Sequence, residues 1–105
     1  MYAKIKKNSQ FNLLFAKGKK AFSPTLILLY LPSSTTEVGI CVSKKHGNAV
    51  KRNRIKRLIR EALHKNIDKL KSTHSMVLVA KQADDYSLQN FSKNLHFLFK
   101  REGLL

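Results

Sequence analysis

The feature that most constrains this chain is a helical segment whose cations crowd around a narrow apolar stripe. Residues 51–60 read KRNRIKRLIR, with six Lys or Arg and no acid before Glu61. Like charges at i, i+3 and i+4 repel one another, and cations in a first helical turn oppose the helix dipole. Because selection for folding alone would avoid this arrangement, we interpret the segment as a surface for a polyanion, with nucleic acid the leading candidate.

The remainder of the sequence is typical of a small globular domain. Its 105 residues are 43% hydrophobic, which is enough for one core, so we expect a single domain over residues 1–105 with a basic, mobile arm over 1–7. The net charge of +15 also suits an anionic membrane surface. Three candidate strands are available to cover the apolar stripe of the helix, and this favours nucleic acid over a membrane.

The sequence also indicates a compartment. The N-terminus lacks the pattern of a secretory signal, and no apolar run reaches the length of a membrane span, so we expect a cytoplasmic protein that does not bind membranes. Cys41 is the only cysteine. An intramolecular disulfide is therefore excluded, which suits a reducing compartment.

Hydrophobic periodicity predicts helices and strands in the order αββαβα, which indicates an α+β fold built as a two-layer sandwich. A long helix is expected from about residue 49 to 70 with Asn48 as its cap, and Asp84 or Asp85 can cap a last helix. The other predicted elements are a first helix from Asn8 or Ser9 to about Lys17 and strands over 26–31, 37–43 and 75–81.

The strand predicted over 37–43 has one bulky and one small face. Val38 and Ile40 point one way, whereas Gly39 and Cys41 point the other. The small face either lets a helix pack closely or lets a ligand approach the backbone. We favour close helix packing.

The composition of the basic segment indicates specific contacts. Between residues 52 and 60 Arg outnumbers Lys four to one, although Lys predominates elsewhere. Arg binds phosphate through a planar fork and stacks on bases, whereas Lys acts as a point charge. Asn53 can pair with a base edge or a ribose hydroxyl, and the alternative is a solvent-exposed Asn without a role.

Two aromatic residues of the first helix have two interpretations. Phe11 and Phe15 share one helical face, and such a stripe usually belongs to the core. The alternative is a stacking platform for single-stranded nucleic acid beside Lys17.

Nothing in the sequence indicates catalysis by the polypeptide. A metal-dependent nuclease needs several carboxylates to hold its ions, but the six acids are scattered and only Asp84 and Asp85 are close. The four His residues lack metal-ligand spacing. We therefore expect no catalytic residue and no metal ligand in this chain.

One long motif carries a resemblance to a known family. Residues 39–62, GICVSKKHGNAVKRNRIKRLIREA, resemble the strand, basic loop and Arg-Asn-Arg helix of the protein component of bacterial ribonuclease P. Phe11, Phe15 and Gly18 resemble its first helix, and SMVLVAK with the last helix resembles its C-terminal half. The resemblance implies a ribosomal protein S5 domain 2-like fold with a left-handed βαβ crossover.

The resemblance also implies a function. The chain would be a subunit of a tRNA-processing endoribonuclease whose catalytic RNA removes the 5′ leader of precursor tRNA, with Mg²⁺ held mainly by RNA and no protein partner required. The polypeptide alone would be inactive. Implied contacts with the leader are Phe11, Phe15, Lys17 and Tyr30. Implied contacts with the catalytic RNA are Lys44, Lys45, Asn48, Lys51, Arg52, Asn53, Arg54, Lys56, Arg57 and Arg60.

Two other functions fit the composition. A structural RNA-binding protein of the ribosomal type has similar length and charge. A DNA-binding regulator would place the basic helix in a major groove, but it normally needs a second short helix and a dimer, and neither is visible in the sequence.

Overall fold

The computed structural model describes residues 2–83 and 86–105, which form a five-stranded sheet and three α-helices. The strand order is β1-β4-β5-β3-β2, so the shortest strand and a four-residue strand form the two edges. The elements are β1 (Ala3–Lys4), α1 (Asn8–Lys17), β2 (Lys19–Phe22), β3 (Leu26–Pro32), β4 (Glu37–Cys41), α2 (Ala49–Asn66), β5 (His74–Ala80) and α3 (Leu88–Arg101), with 3₁₀ turns at Lys44–His46 and Ile67–Lys69.

The main core lies between one face of the sheet and helices α2 and α3. Alternate residues of the central strands, such as Leu28 and Met76, are fully buried there, because successive side chains of a strand point to opposite faces. Ile59 of α2 and Phe91 of α3 pack into the same cluster. The α+β arrangement of a sheet covered by helices, predicted from the sequence, is confirmed.

Strand β4, helix α2 and strand β5 form a βαβ unit in which the two strands are parallel neighbours. The pairing aligns Cys41 with Val79. The left-handed crossover implied by the resemblance stays a prediction.

Helix α1 covers part of the opposite face of the sheet. Leu14 is buried there against Leu29 and Val77 in a second, smaller cluster. The ring of Phe11 lies on the backbone of Gly39, where an added Cβ would come within 2.5 Å of the ring. Close helix packing on the small face of β4, the favoured interpretation, is what the structure shows.

Two strands were not predicted from the sequence. Residues 1–7 were expected to be a mobile arm, but Ala3 N donates to Thr36 O (2.9 Å), Ile5 N donates to Val38 O (3.0 Å), and Ile5 is buried. Strand β2 pairs antiparallel with β3. Both strands are short and lysine-rich, so neither has the apolar alternation on which strand prediction depends.

The ends of two helices also differ from the prediction. Helix α2 ends at Asn66, and the 3₁₀ turn Ile67–Lys69 follows it. The predicted caps Asp84 and Asp85 lie outside the described residues. Helix α3 is capped by Ser87, whose hydroxyl accepts from Asn90 N at 3.1 Å.

Candidate nucleic-acid interface

Helix α2 presents its cations outward because its apolar stripe is held against the sheet. Asn48 caps the helix as predicted, its Oδ1 accepting from Lys51 N at 2.9 Å. Ile55 and Ile59 of the stripe are buried. The cations of its first twelve residues are therefore exposed or half-buried: Lys51, Arg52, Arg54, Lys56, Arg57 and Arg60. We call these six residues the basic ridge.

The protein's own carboxylates leave the ridge almost uncompensated. Within the described part of the chain, the one ion pair on the ridge joins Arg57 Nε to Glu61 Oε1 at 3.9 Å, with both side chains exposed. Such a pair contributes little stability. Arg52 is half-buried, and its Nε has no hydrogen-bond partner among the described residues.

The ridge divides into two sides of the helix. At about 100° per residue, Asn53, Lys56 and Arg60 project to one side and line a cleft of about 920 Å³ at the β4 edge of the sheet. Arg57 projects from the outer surface of the helix, about 40° from Asn53, and Arg54 projects further from the cleft. Helix α2 can therefore contact one partner both inside the cleft and on the outer surface of the helix.

The cleft exists because β1 is only two residues long. Strand β1 pairs with Glu37 and Val38 only, and the rest of the β4 edge has no neighbouring strand. Tyr2 and His64 close one end, with Tyr2 Oη 3.1 Å from His64 Nε2. Burial raises the pKa of the Tyr2 phenol, partly offset by the charge of Arg60.

The loop before α2 is held by a buried histidine. The His46 side chain is 8% exposed, its Nδ1 lies 3.2 Å from Ser43 O, and its ring centroid is 5.8 Å from that of Tyr86. Gly47 has φ 119°, a conformation that favours glycine. Lys44 and Lys45 remain exposed. Sequence reasoning missed the anchoring role of His46, because the contact with Tyr86 joins residues far apart in the chain.

A strip of half-buried apolar residues lies beside α1 on the second face of the sheet, and we call this strip and the adjoining side of α1 the groove. Its floor contains Cys41, Val79 and Ile27, which the strand register aligns side by side and which are only half-buried. Burial raises the pKa of the Cys41 thiol, partly offset by Lys56. The thiol is thus a neutral, apolar part of the floor at neutral pH.

Phe11 and Phe15 form the helical wall of this groove, and Phe11 also lines the cleft that contains Asn53. They project about 40° apart on α1, and Phe15 is 43% exposed. Gln10 projects to the other side of the helix, where its amide donates to Glu37 Oε2 at 3.0 Å. The structure therefore places the two predicted aromatic residues beside the half-buried apolar residues of the sheet.

The two other predicted leader contacts lie elsewhere. Tyr30 is on the opposite face of the sheet, 6% exposed, and its hydroxyl donates to Glu102 Oε1 at 2.7 Å. Burial first, and then the bond and charge of Glu102, raise its pKa to about 12. Placing Tyr30 in the groove was wrong, because a shift of one residue along a strand reverses the face. Lys17 is exposed, but it projects about 160° away from Phe15.

The described residues offer no evident metal centre. No group of three or more His, Cys, Asp or Glu could hold an ion within residues 2–83 and 86–105. Two of the carboxylates are engaged in hydrogen bonds, Glu37 with Gln10 and Glu102 with Tyr30. In the same ranges, none of the helices combines the length and the apolar character needed to cross a membrane.

Comparisons with known proteins show which family the sequence matches. The family model described as Ribonuclease P matches residues 2–103. The ribonuclease P protein component of Bacillus velezensis is 38% identical over 104 residues, covering 96% of this chain and 90% of that protein. The corresponding Bacillus cereus protein is 36% identical over 105 residues, with coverage of 96% and 91%.

Solved structures show the same fold. The RNase P protein of Staphylococcus aureus superposes with a TM-score of 0.84 at 30% identity, covering 96% of this chain and 95% of that chain. The RNase P protein of Thermotoga maritima has a TM-score of 0.82 at 23% identity, with coverage of 93% and 96%. The second likeness concerns the fold alone.

Proposed function

This chain belongs to the ribonuclease P protein family, and from this premise we propose that it is the protein subunit of an endoribonuclease whose catalytic RNA removes the 5′ leader of precursor tRNA. In this proposal the basic ridge and the cleft beside it bind the catalytic RNA. The groove between α1 and the sheet binds the leader. Both partners are RNA, and the proposed site of action is the cytoplasm.

The observation that carries the proposal is the uncompensated ridge. Lys51 lies in the first turn of α2, and Arg54, Arg57 and Arg60 follow at spacings where like charges repel. A phosphate surface reverses the sign of both unfavourable interactions, and each phosphate that is neutralised releases counterions. Asn53 adds a group that can recognise a base edge or a ribose hydroxyl inside the cleft.

The loop before α2 extends this surface. Lys44 and Lys45 are exposed on a 3₁₀ turn that the buried His46 holds in place. Asn48 is exposed at the helix N-terminus, where a phosphate is favoured. The proposed contacts with the catalytic RNA are therefore contiguous along residues 44–60.

The groove has the chemistry of a single-strand site. An apolar floor and the exposed ring of Phe15 can stack unpaired bases, which is a sequence-tolerant interaction. Because stacking does not depend on the identity of the base, it suits a single strand of any sequence. We retain Phe11 and Phe15 as leader contacts and leave out Tyr30, since it is buried on the other face.

Mg²⁺ in this proposal is held by RNA. Glu37 and Glu102 accept hydrogen bonds within the protein, and Glu61 faces Arg57. Asp68 lines the cleft without a second carboxylate among the described lining residues, so these donors do not fit a protein-held ion. The ion would activate the attacking water, while the protein neutralises phosphate charge and orients the leader.

Reconstitution tests the proposal. Cleavage of precursor tRNA by the cognate catalytic RNA is measured over a range of Mg²⁺ and salt, with and without the protein. We expect the protein to lower the Mg²⁺ needed for cleavage, and the protein alone to cleave nothing. An unchanged Mg²⁺ requirement would overturn the proposal, and co-purification with ribosomal subunits would then support a structural RNA-binding protein instead.

A further inference from the structure

Strand β2 carries a large aromatic side chain that the core does not use. Phe22 is 57% exposed, whereas its neighbour Ala21 is buried in the main core. Alternation along the strand therefore directs Phe22 to the α1 side of the sheet. An exposed aromatic residue on an edge strand adds nothing to the core.

The strand register places Phe22 at the end of the groove floor. Phe22 pairs with Ile27, Ile27 with Val79, and Val79 with Cys41. These four residues form one row across four neighbouring strands. At about 4.8 Å between strands the row is about 14 Å long. Phe22 thus continues the floor of the leader groove to the far edge of the sheet.

The charge around Phe22 suits RNA. Lys20 is exposed and points to the same face of β2, two residues before Phe22. Lys17 and Lys19 are exposed nearby, and neither β2 nor β3 contains an acid. A single-stranded RNA can contact both side chains, because its phosphate pairs with Lys20 and its base stacks on Phe22.

We propose that Phe22 and Lys20 form an outer contact for the leader, on nucleotides further from the cleavage site than those at Phe11 and Phe15. This inference rests on the proposed function of the groove. Helix α2 flanks β4, whereas β2 is the opposite edge of the sheet. A strand that leaves the catalytic RNA at α2 therefore reaches Phe22 last, after crossing at most about four stacked nucleotides of about 3.4 Å each.

The test measures binding of precursor tRNAs with leaders lengthened one nucleotide at a time to the assembled holoenzyme. In the wild type, affinity should rise with length and stop rising once the leader passes Phe22. In Phe22→Ala the rise should stop earlier, with about fivefold weaker binding of long leaders, the lower end of the effect of one base stacked on an aromatic ring. Phe22→Trp should restore the wild-type profile.

Phe97→Ala is the matched control, because Phe97 is 47% exposed on α3, on the other side of the molecule. It should bind every leader as the wild type does. An abasic nucleotide placed at the last responsive leader position should reproduce the Phe22→Ala loss in the wild-type holoenzyme, which makes the test independent of any folding defect.

Two failures can be distinguished. If Phe22→Ala matches the wild type at every length and the abasic leader binds normally, while Phe15→Ala weakens leader binding, the outer contact is refuted and the groove stands. If leader length affects neither the wild type nor Phe15→Ala, the proposed function of the groove fails, and the outer contact fails with it.

Discussion

Helices α2 and α3 pack against each other on the same face of the sheet, and both have basic residues in the last turn, but only α2 also has cations in its first turn. Both begin with a side-chain cap and bury one apolar stripe. Helix α3 has Lys100 and Arg101 in its last turn, where the helix dipole favours cations. Helix α2 also has a cation, Lys51, in its first turn, where the helix dipole disfavours positive charge.

The comparison separates what serves the fold from what serves a partner. Each misplaced exposed charge costs about 0.3–1 kcal/mol of helix stability. Helix α3 avoids this cost, whereas α2 accepts it in its first turn and adds repulsion between like charges along the basic ridge. The apolar stripe of α2 offsets the cost by packing into the core. The difference teaches that α2 is stable because of its buried side, while its exposed side has the charge that the proposed RNA contact requires.

The largest effect is expected from truncating the core side of α3. Phe91 is fully buried and stacks on Tyr86 with ring centroids 5.8 Å apart. Phe91→Ala should lower the free energy of unfolding by about 3–5 kcal/mol, measured by urea denaturation. The exposed Phe97 provides the control, and Phe97→Ala should change the free energy of unfolding by no more than about 0.5 kcal/mol. Equal stability of both variants would show that α3 does not hold the core.

Truncating the ridge should instead affect RNA binding. Arg54→Ala and Arg57→Ala should each weaken binding to the catalytic RNA and reduce the salt slope by about one per lost phosphate contact. Stability should stay the same or rise slightly, because repulsion within α2 is relieved. The measurements are binding titrations at several salt concentrations and a thermal melt. A large drop in melting temperature would mean that these side chains serve the fold.

The two caps allow a matched pair of substitutions. Asp caps a helix about as well as Asn or Ser, and its charge suits the N-terminus. Asn48→Asp and Ser87→Asp should therefore each leave stability unchanged or raise it by up to about 1 kcal/mol. Only Asn48→Asp should weaken RNA binding, since its new charge would face phosphate. Equal RNA affinity in both variants would contradict the assignment of Asn48 to the interface.

The smallest effect concerns pH and the end of α3. Tyr30 donates to Glu102, just after α3, and its pKa is raised from 10.0 to about 12. The folded protein therefore keeps a proton that the unfolded chain loses above pH 10, so stability should fall as pH rises from about 10 to 12. Tyr30→Phe should flatten this fall in denaturation curves taken across that range. Lys deprotonation is common to both proteins, so an identical pH dependence would rule out this role of Tyr30.

Much of α2 was predictable because the signals are local. The cap at Asn48, the stripe through Ile55 and Ile59 and the outward cations all follow from helical spacing. The alternation in β4 likewise predicted that Gly39 faces a closely packed helix. Signals of this kind depend on neighbours along the chain.

The missed features depend on long-range pairing. Strand β1 forms because Ala3–Lys4 pair with the edge of β4. Strand β2 forms because Lys19–Phe22 pair with β3. Neither segment has an apolar pattern of its own. The position of Tyr30 was also missed because it depends on long-range packing. Alternation assigns side chains to two faces of a strand, but it does not say which helix covers which face.

The sequence by itself therefore determined the fold class, the basic ridge and the aromatic pair on α1, because helix and strand periodicity records which side chains share a face. Only the tertiary structure decided that part of the ridge lines a cleft, that Tyr30 is buried away from Phe15, and that Phe22 ends the groove floor. The physical reason is that these relations are set by strand register and by the sheet face on which each helix packs, and both arise from contacts between distant segments.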